Sequence, residues 1–119
     1  MKKIIPLFLI IFMSVFVLKP KAVFAGGDNK NPTEFQLSQN YPNPFNPTTN
    51  ISFSIPDESY VTLKVYNILG YEITTLVNKE MKSGNYTVKF DGSSLPSGIY
   101  FYRLQANHNI ATKKLILVK

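Results

Sequence analysis

The side chains that could do chemistry in this 119-residue chain are few. There is no cysteine, which removes thiol nucleophiles, thiolate metal ligands, disulfides and any lipid-modified cysteine after a leader. The single histidine, His108, lies between Asn107 and Asn109 in a turn-forming triplet, where a solvated imidazole is expected rather than a general base. Asp57 and Glu58 are adjacent, so in extended chain their carboxylates diverge and cannot converge on one substrate. Asp91-Gly92 suits a turn, and no Asp-rich loop offers the several oxygen ligands that calcium requires. Neither a glycine-rich phosphate loop nor a Gly-x-Ser-x-Gly elbow is present. Asn50-Ile51-Ser52 and Asn85-Tyr86-Thr87 fit the glycosylation pattern at strand starts, a match frequent by chance. No catalytic, cofactor or metal site is therefore expected.

Charge narrows the partners. Thirteen Lys and Arg face seven Asp and Glu, a formal net charge of +6. Lys2, Lys3, Lys19 and Lys21 fall in the first 25 residues, which hold no acid, so the remainder has nine bases, seven acids and a net +2. A nucleic-acid footprint is not expected from that balance. The same 25 residues have the order of a secretory leader. Met1-Lys2-Lys3 is positive, Ile4 to Leu18 is apolar apart from Pro6 and Ser14, and Val23 and Ala25 occupy the peptidase-read positions. The apolar run of 15 residues is shorter than the roughly 20 that cross a bilayer, so no stable membrane span is expected after processing; an uncleaved anchor is the alternative. Residues 1–25 are read as a signal peptide cut between Ala25 and Gly26, 26–34 as a flexible linker, and 35–119 as the folded domain.

The domain must fold by packing alone, and its patterning is β throughout. Ile51, Phe53 and Ile55 alternate with polar residues; so do Val61, Leu63 and Val65. Tyr86, Val88 and Phe90 are expected inward in a later strand, and Tyr100, Tyr102 and Leu104 in another. Tyr71 to Val77 is β-branched but does not reveal its inner face. Asn78 to Gly84 reads as a polar connection. The final strand, Ile110 to Lys119, is apolar on both faces near its end. Turns fall at Pro56–Ser59, Asn67–Gly70, Asp91–Ser94, Leu95–Gly98 and Asn107–Asn109, with Gly70 expected at positive φ. With a short strand near Glu34–Leu37, about seven strands result, which predicts an all-β, immunoglobulin-like antiparallel β-sandwich.

Leu37 to Thr49 resists a routine reading. Pro42, Pro44 and Pro47 restrict φ and the residues before them, which predicts a rigid, extended strap poor in hydrogen bonds. Tyr41 and Phe45 are expected as its apolar anchors over a sheet edge, blunting that edge.

Leu37-x-Gln39-Asn40-Tyr41-Pro42-Asn43-Pro44-Phe45-Asn46-Pro47-x-Thr49, followed by Ile51-x-Phe53-x-Ile55-Pro56, closely resembles the opening of the type A C-terminal sorting domain of the type IX secretion system. Val61-x-Leu63-x-Val65-Tyr66-Asn67-x-x-Gly70 is similar to that family's central strand and turn. Phe90-Asp91-Gly92 and Leu95 to Leu104 resemble its Gly-x-Tyr block, and Thr112 to Lys119 its terminal strand. The resemblance implies a non-catalytic domain that directs export across the outer membrane after signal-peptide-dependent passage through the periplasm, leaving the product secreted or on the cell surface. It implies two partners, the type IX translocon and a sortase-like C-terminal signal peptidase. Carried onto this chain, it places Gly98 and Tyr100 in the architecture and Lys113, Lys114 and Lys119 in recognition, with strand addition at the terminal strand as one route. About ten residues separate Ala25 from Phe35. A short or truncated reading frame, or a sorting domain that is itself the secreted product, are the two expectations for so little cargo.

A second reading is a small secreted immunoglobulin-like module that binds glycan or protein through outward Tyr60, Tyr66 and Phe101. Against it, aromatic residues serve cross-strand pairing in most sheets. Intact-mass measurement of the exported protein tests the leader: a product beginning at Gly26 is expected, and retention of Met1 would reject cleavage.

Overall fold

The computed structural model describes residues 31–119. The expected leader, its Ala25–Gly26 cleavage position and the first part of the linker lie outside the described residues.

Seven strands follow one another: β1 (Gln36–Leu37), β2 (Thr48–Ile55), β3 (Ser59–Tyr66), β4 (Glu72–Met81), β5 (Gly84–Asp91), β6 (Gly98–Ala106) and β7 (Asn109–Leu117). They form two antiparallel sheets, one of three strands in the order β1-β2-β5 and one of four in the order β4-β3-β6-β7. The chain crosses between sheets after β2, β4 and β5, which makes the expected sandwich.

Alternation builds the core. Ile51, Phe53 and Ile55 of β2 are buried against Val61, Leu63 and Val65 of β3 and Tyr102 and Leu104 of β6. Each such side chain contributes about 1.5–3 kcal/mol through the apolar area it removes from water. Tyr86 and Val88 of β5 are half-buried and pack on this cluster, while Phe90 is fully inside. Phe53 and Tyr86, opposed in register, stack with ring centroids 5.5 Å apart.

β4 corrects the sequence reading twice. Asn78, Lys79 and Glu80 are no connection; they pair with Thr62, Val61 and Tyr60, and the strand continues to Met81. Their side chains are exposed because β4 is an edge strand, so polarity there marks a solvated edge. The register also shifts between Leu63 and Lys64 and again between Val65 and Tyr66. Each irregularity inserts a β4 residue and breaks the period of two, which is why Tyr71 to Val77 shows no single inner face. Val77 alone of that stretch is buried.

The β3–β4 turn is rigid. Asn67 Oδ1 accepts from the Leu69 and Tyr71 amides at 2.9 and 3.0 Å, and the Gly70 amide donates to the Asn67 carbonyl at 2.9 Å. Gly70 has φ 91°, the left-handed value expected for it. In β7 the double-sided apolar run sorts itself: Leu115 and Leu117 are core, whereas Ile116 faces outward opposite Ile99.

Candidate functional site: the strap and the terminal strand

The strap is bonded into both sheets, contrary to the hydrogen-bond-poor reading. Tyr41 and Asn50 exchange two backbone hydrogen bonds of 3.0 Å, holding the strap to β2. Four residues later Phe45 pairs in parallel with Leu117: its amide donates to the Ile116 carbonyl at 2.9 Å, and its carbonyl accepts from the Val118 amide at 3.0 Å. The segment thus passes from the edge of one sheet to the edge of the other. Its Tyr41-Pro42, Asn43-Pro44 and Asn46-Pro47 bonds are cis.

Its polar side chains satisfy the backbone that this crossing leaves unpaired. Buried Asn40 donates from Nδ2 to the Pro42 carbonyl (3.1 Å) and to Thr49 Oγ1 (3.0 Å), and Thr49 Oγ1 donates to the same carbonyl at 2.8 Å. Gln39 Nε2 donates to the Lys114 carbonyl at 2.7 Å, and Asn43 Oδ1 accepts from the Ile116 amide at 3.0 Å. Tyr102 closes the arrangement from inside the sandwich. Its hydroxyl donates to the Ser38 carbonyl (2.7 Å) and accepts from the Asn40 amide (2.8 Å). Burial pushes its phenol up to about 12, partly offset by the Asn40 amide.

The two expected anchors part company. Phe45 is 2% exposed, packed on Phe90 with ring centroids 5.8 Å apart. Tyr41 is 80% exposed and anchors nothing through its ring; its contribution is the backbone pair with Asn50. The shift between sheets turns the two rings to different sides, an outcome that spacing alone does not encode. Gly92 completes the Phe45 seat. A Cβ there would stand 3.2 Å from Leu117 Cδ2 and 3.3 Å from Phe45 Cε2, and the Gly92 amide donates to the Pro47 carbonyl at 2.8 Å.

The other expected residues are not gathered into one patch. Gly98 opens β6 opposite Leu117. Tyr100 is buried, and its hydroxyl donates back to the Pro96 carbonyl at 2.7 Å, the corner bond that fixes the entry to a sandwich strand. Lys113 is half-buried and Lys114 exposed on opposite faces of β7, as consecutive strand residues must be. Lys119 Nζ donates to the Ser93 carbonyl at 2.6 Å, and its amide donates to Ser97 Oγ at 2.9 Å, tying the chain end to the β5–β6 connection. Strand addition beside Leu117 meets an occupied edge, because Phe45 already pairs there.

His108 and Asp57 are exposed in their turns. Among the described residues no three His, Cys, Asp or Glu side chains come together to hold a metal ion. Among the described residues no helix is long and apolar enough to cross a membrane. What the strap and terminal strand accomplish is to close a sandwich and lock its last strand in place.

The family model described as a secretion system C-terminal sorting domain matches residues 39–119, and the chain belongs to that family. Its role is sorting by the type IX secretion system. Among solved structures it is similar to dimeric latent PorU from Porphyromonas gingivalis, with TM-score 0.54 and 18% identity over 77% of this chain and 10% of that one. It is also similar to PorZ of the same organism, an essential surface component of the type-IX secretion system, with TM-score 0.48 and 16% identity over 71% of this chain and 11% of that one. The chain thus spans about a tenth of the length of either structure. No curated protein matches significantly.

Two outcomes test the strap. Phe45→Ala should cost about 3–5 kcal/mol in urea denaturation, the range for emptying an aromatic site, while Tyr41→Ala should stay within about 0.5 kcal/mol. A raised phenol makes the Tyr102 contribution fully present below pH 10 and lost as pH climbs to about 12, because the unfolded phenol ionises first. The melting temperature should therefore fall more steeply across that window in the wild type than in Tyr102→Phe; equal slopes would refute the raised phenol.

Proposed function

We propose that the folded domain is presented in the periplasm, behind the leader of residues 1–25, to the outer-membrane translocon of the type IX system, and that a sortase-like C-terminal signal peptidase then removes it within the linker of residues 26–34. The observation that carries this reading is the family match running through the terminal strand to Lys119. A tag read after folding must keep its shape without disulfides, and the double backbone pairing of Phe45 with the Ile116–Val118 segment supports that requirement. The product is secreted or held at the cell surface.

Residue roles divide accordingly. Gly98 and Tyr100 set the β6 corner and act on recognition only through shape. Lys114, exposed on β7, and Lys119, held at the β5–β6 connection, are the cations offered to the translocon, with half-buried Lys113 beside them. A reporter inserted after Lys30 of the full chain, in a host with the pathway, tests the assignment. Removal of Thr112–Lys119 should abolish surface display. Because that deletion also removes core residues Leu115 and Leu117, Lys114→Glu serves as the fold-preserving variant and should lower display about threefold or more. Undiminished display of the deletion would overturn the proposal.

A further inference from the structure

The β3–β4 turn carries side chains that its fold does not need. Turn tips favour Gly, Asn, Asp and Ser, yet here Ile68 and Leu69 occupy the central positions, 66% and 75% exposed. The turn is not floppy, because Asn67 fixes its backbone through three hydrogen bonds. Two apolar side chains are thus held in water on a prefolded platform, which lowers the ordering cost of binding.

Beside them, on the outer face of β6 and β3, Arg103 lies over the Tyr66 ring with its guanidinium carbon 5.1 Å from the centroid. One guanidinium nitrogen donates to the Tyr66 hydroxyl at 3.0 Å. That bond uses one of five donors, and among the described residues Arg103 has no carboxylate within ion-pair distance. The neighbouring acid, Glu72, is engaged elsewhere: it accepts from Thr75 at 2.8 Å and pairs with Lys64 at 3.4 Å. Thr75 chiefly, then Lys64, holds its carboxyl below the ordinary value. Lys114 stands opposite Phe101 on the same face. Between turn and sheet runs an open groove of about 400 Å³, lined by Leu69, Tyr66, Phe101 and Arg103 among others.

We infer that this groove docks an acidic segment of a protein partner, with a carboxylate on Arg103 and a neighbouring apolar side chain against Ile68 and Leu69. The charge complementarity is specific, since an oriented guanidinium with spare donors suits the bidentate geometry of a carboxylate. The apolar tip favours a protein segment over the phosphates of a glycolipid. The inference deepens the sorting role proposed above and rests on it, naming a surface distinct from the Lys119 end.

The test uses the full chain with a reporter inserted after Lys30, in a host with the pathway. Arg103→Glu and Leu69→Ser should each reduce surface display about tenfold, the factor that 1.4 kcal/mol of lost binding produces, with the thermal melt of the purified chain unchanged. Lys79→Glu, near the end of β4 remote from the turn, should leave display unchanged. Photo-crosslinking from benzoylphenylalanine at position 69 should yield a protein adduct whose linked peptide contains Asp or Glu. Wild-type display of both variants overturns the inference while the sorting role stands; failure of the unmodified chain to be displayed defeats the sorting role itself. A lipopolysaccharide adduct, a peptide without acid, or no adduct also overturns it.

Discussion

The closure of the sandwich depends on one backbone pairing, that of Phe45 with the Ile116–Val118 segment. A sandwich built from three and four strands leaves open edges, and an open edge near the chain end invites pairing with other molecules. Phe45 fills that edge with its amide and carbonyl while its ring enters the core, so hydrogen bonding and apolar burial are satisfied by the same residue. The two requirements reinforce each other: slippage of the strap by one position would expose the ring and break both bonds.

The surrounding polar residues follow from that choice. To reach β7 from β2 the chain must leave regular sheet structure, and each departure strands a carbonyl or an amide. Asn40 and Thr49 meet the Pro42 carbonyl within the strap, Gln39 and Asn43 meet the Lys114 carbonyl and Ile116 amide of β7, and the Tyr102 hydroxyl meets Ser38 and Asn40 from across the core. A buried phenol with one donor and one acceptor role filled costs little, whereas either partner left alone would incur the desolvation penalty of an unpaired polar group. The Gln, Asn and Pro pattern of the strap is thus largely internal carpentry.

That explains what could and could not be read from residues alone. β2, β3, β5 and β6 were legible because a half-buried strand writes its two faces as an alternation, and Ile51, Leu63, Phe90 and Tyr102 obey it. Gly70 was legible because its turn demands positive φ. β4 was not, since two register shifts erase the period and the solvated edge made Asn78–Glu80 look like a loop. Tyr41 and Phe45 are both aromatic rings of one motif, and the crossing between sheets assigns one to water and the other to the core. The lysines were legible as cations of the terminal strand, but the tether of Lys119 to the β5–β6 connection was not. Ile68 and Leu69 lie at the centre of a turn whose Asn and Gly dominate its pattern, although two aliphatic residues at turn centres are themselves a signal.

A label must differ from a catalyst in where its information sits. Enzymes concentrate it in a concave site, where a few groups converge on reacting atoms; a label can spread it over a rigid exterior, provided the exterior is the same in every molecule. Here the strap, the Tyr100 corner bond and the Lys119 tether remove freedom from both ends of the chain segment that forms the sandwich. The cost is that side chains buried for rigidity cannot also be offered to a partner. Phe45 of the strap is turned inward, Tyr100 is buried, and the Leu117 edge is occupied. What stays outside on a fixed frame is the outer face of the four-stranded sheet and its β3–β4 tip, so information available to a reader must be concentrated in side chains that folding itself leaves idle. Arg103, oriented by Tyr66 and lacking an ion-pair partner among the described residues, is the side chain that meets both conditions, rigidity without internal employment.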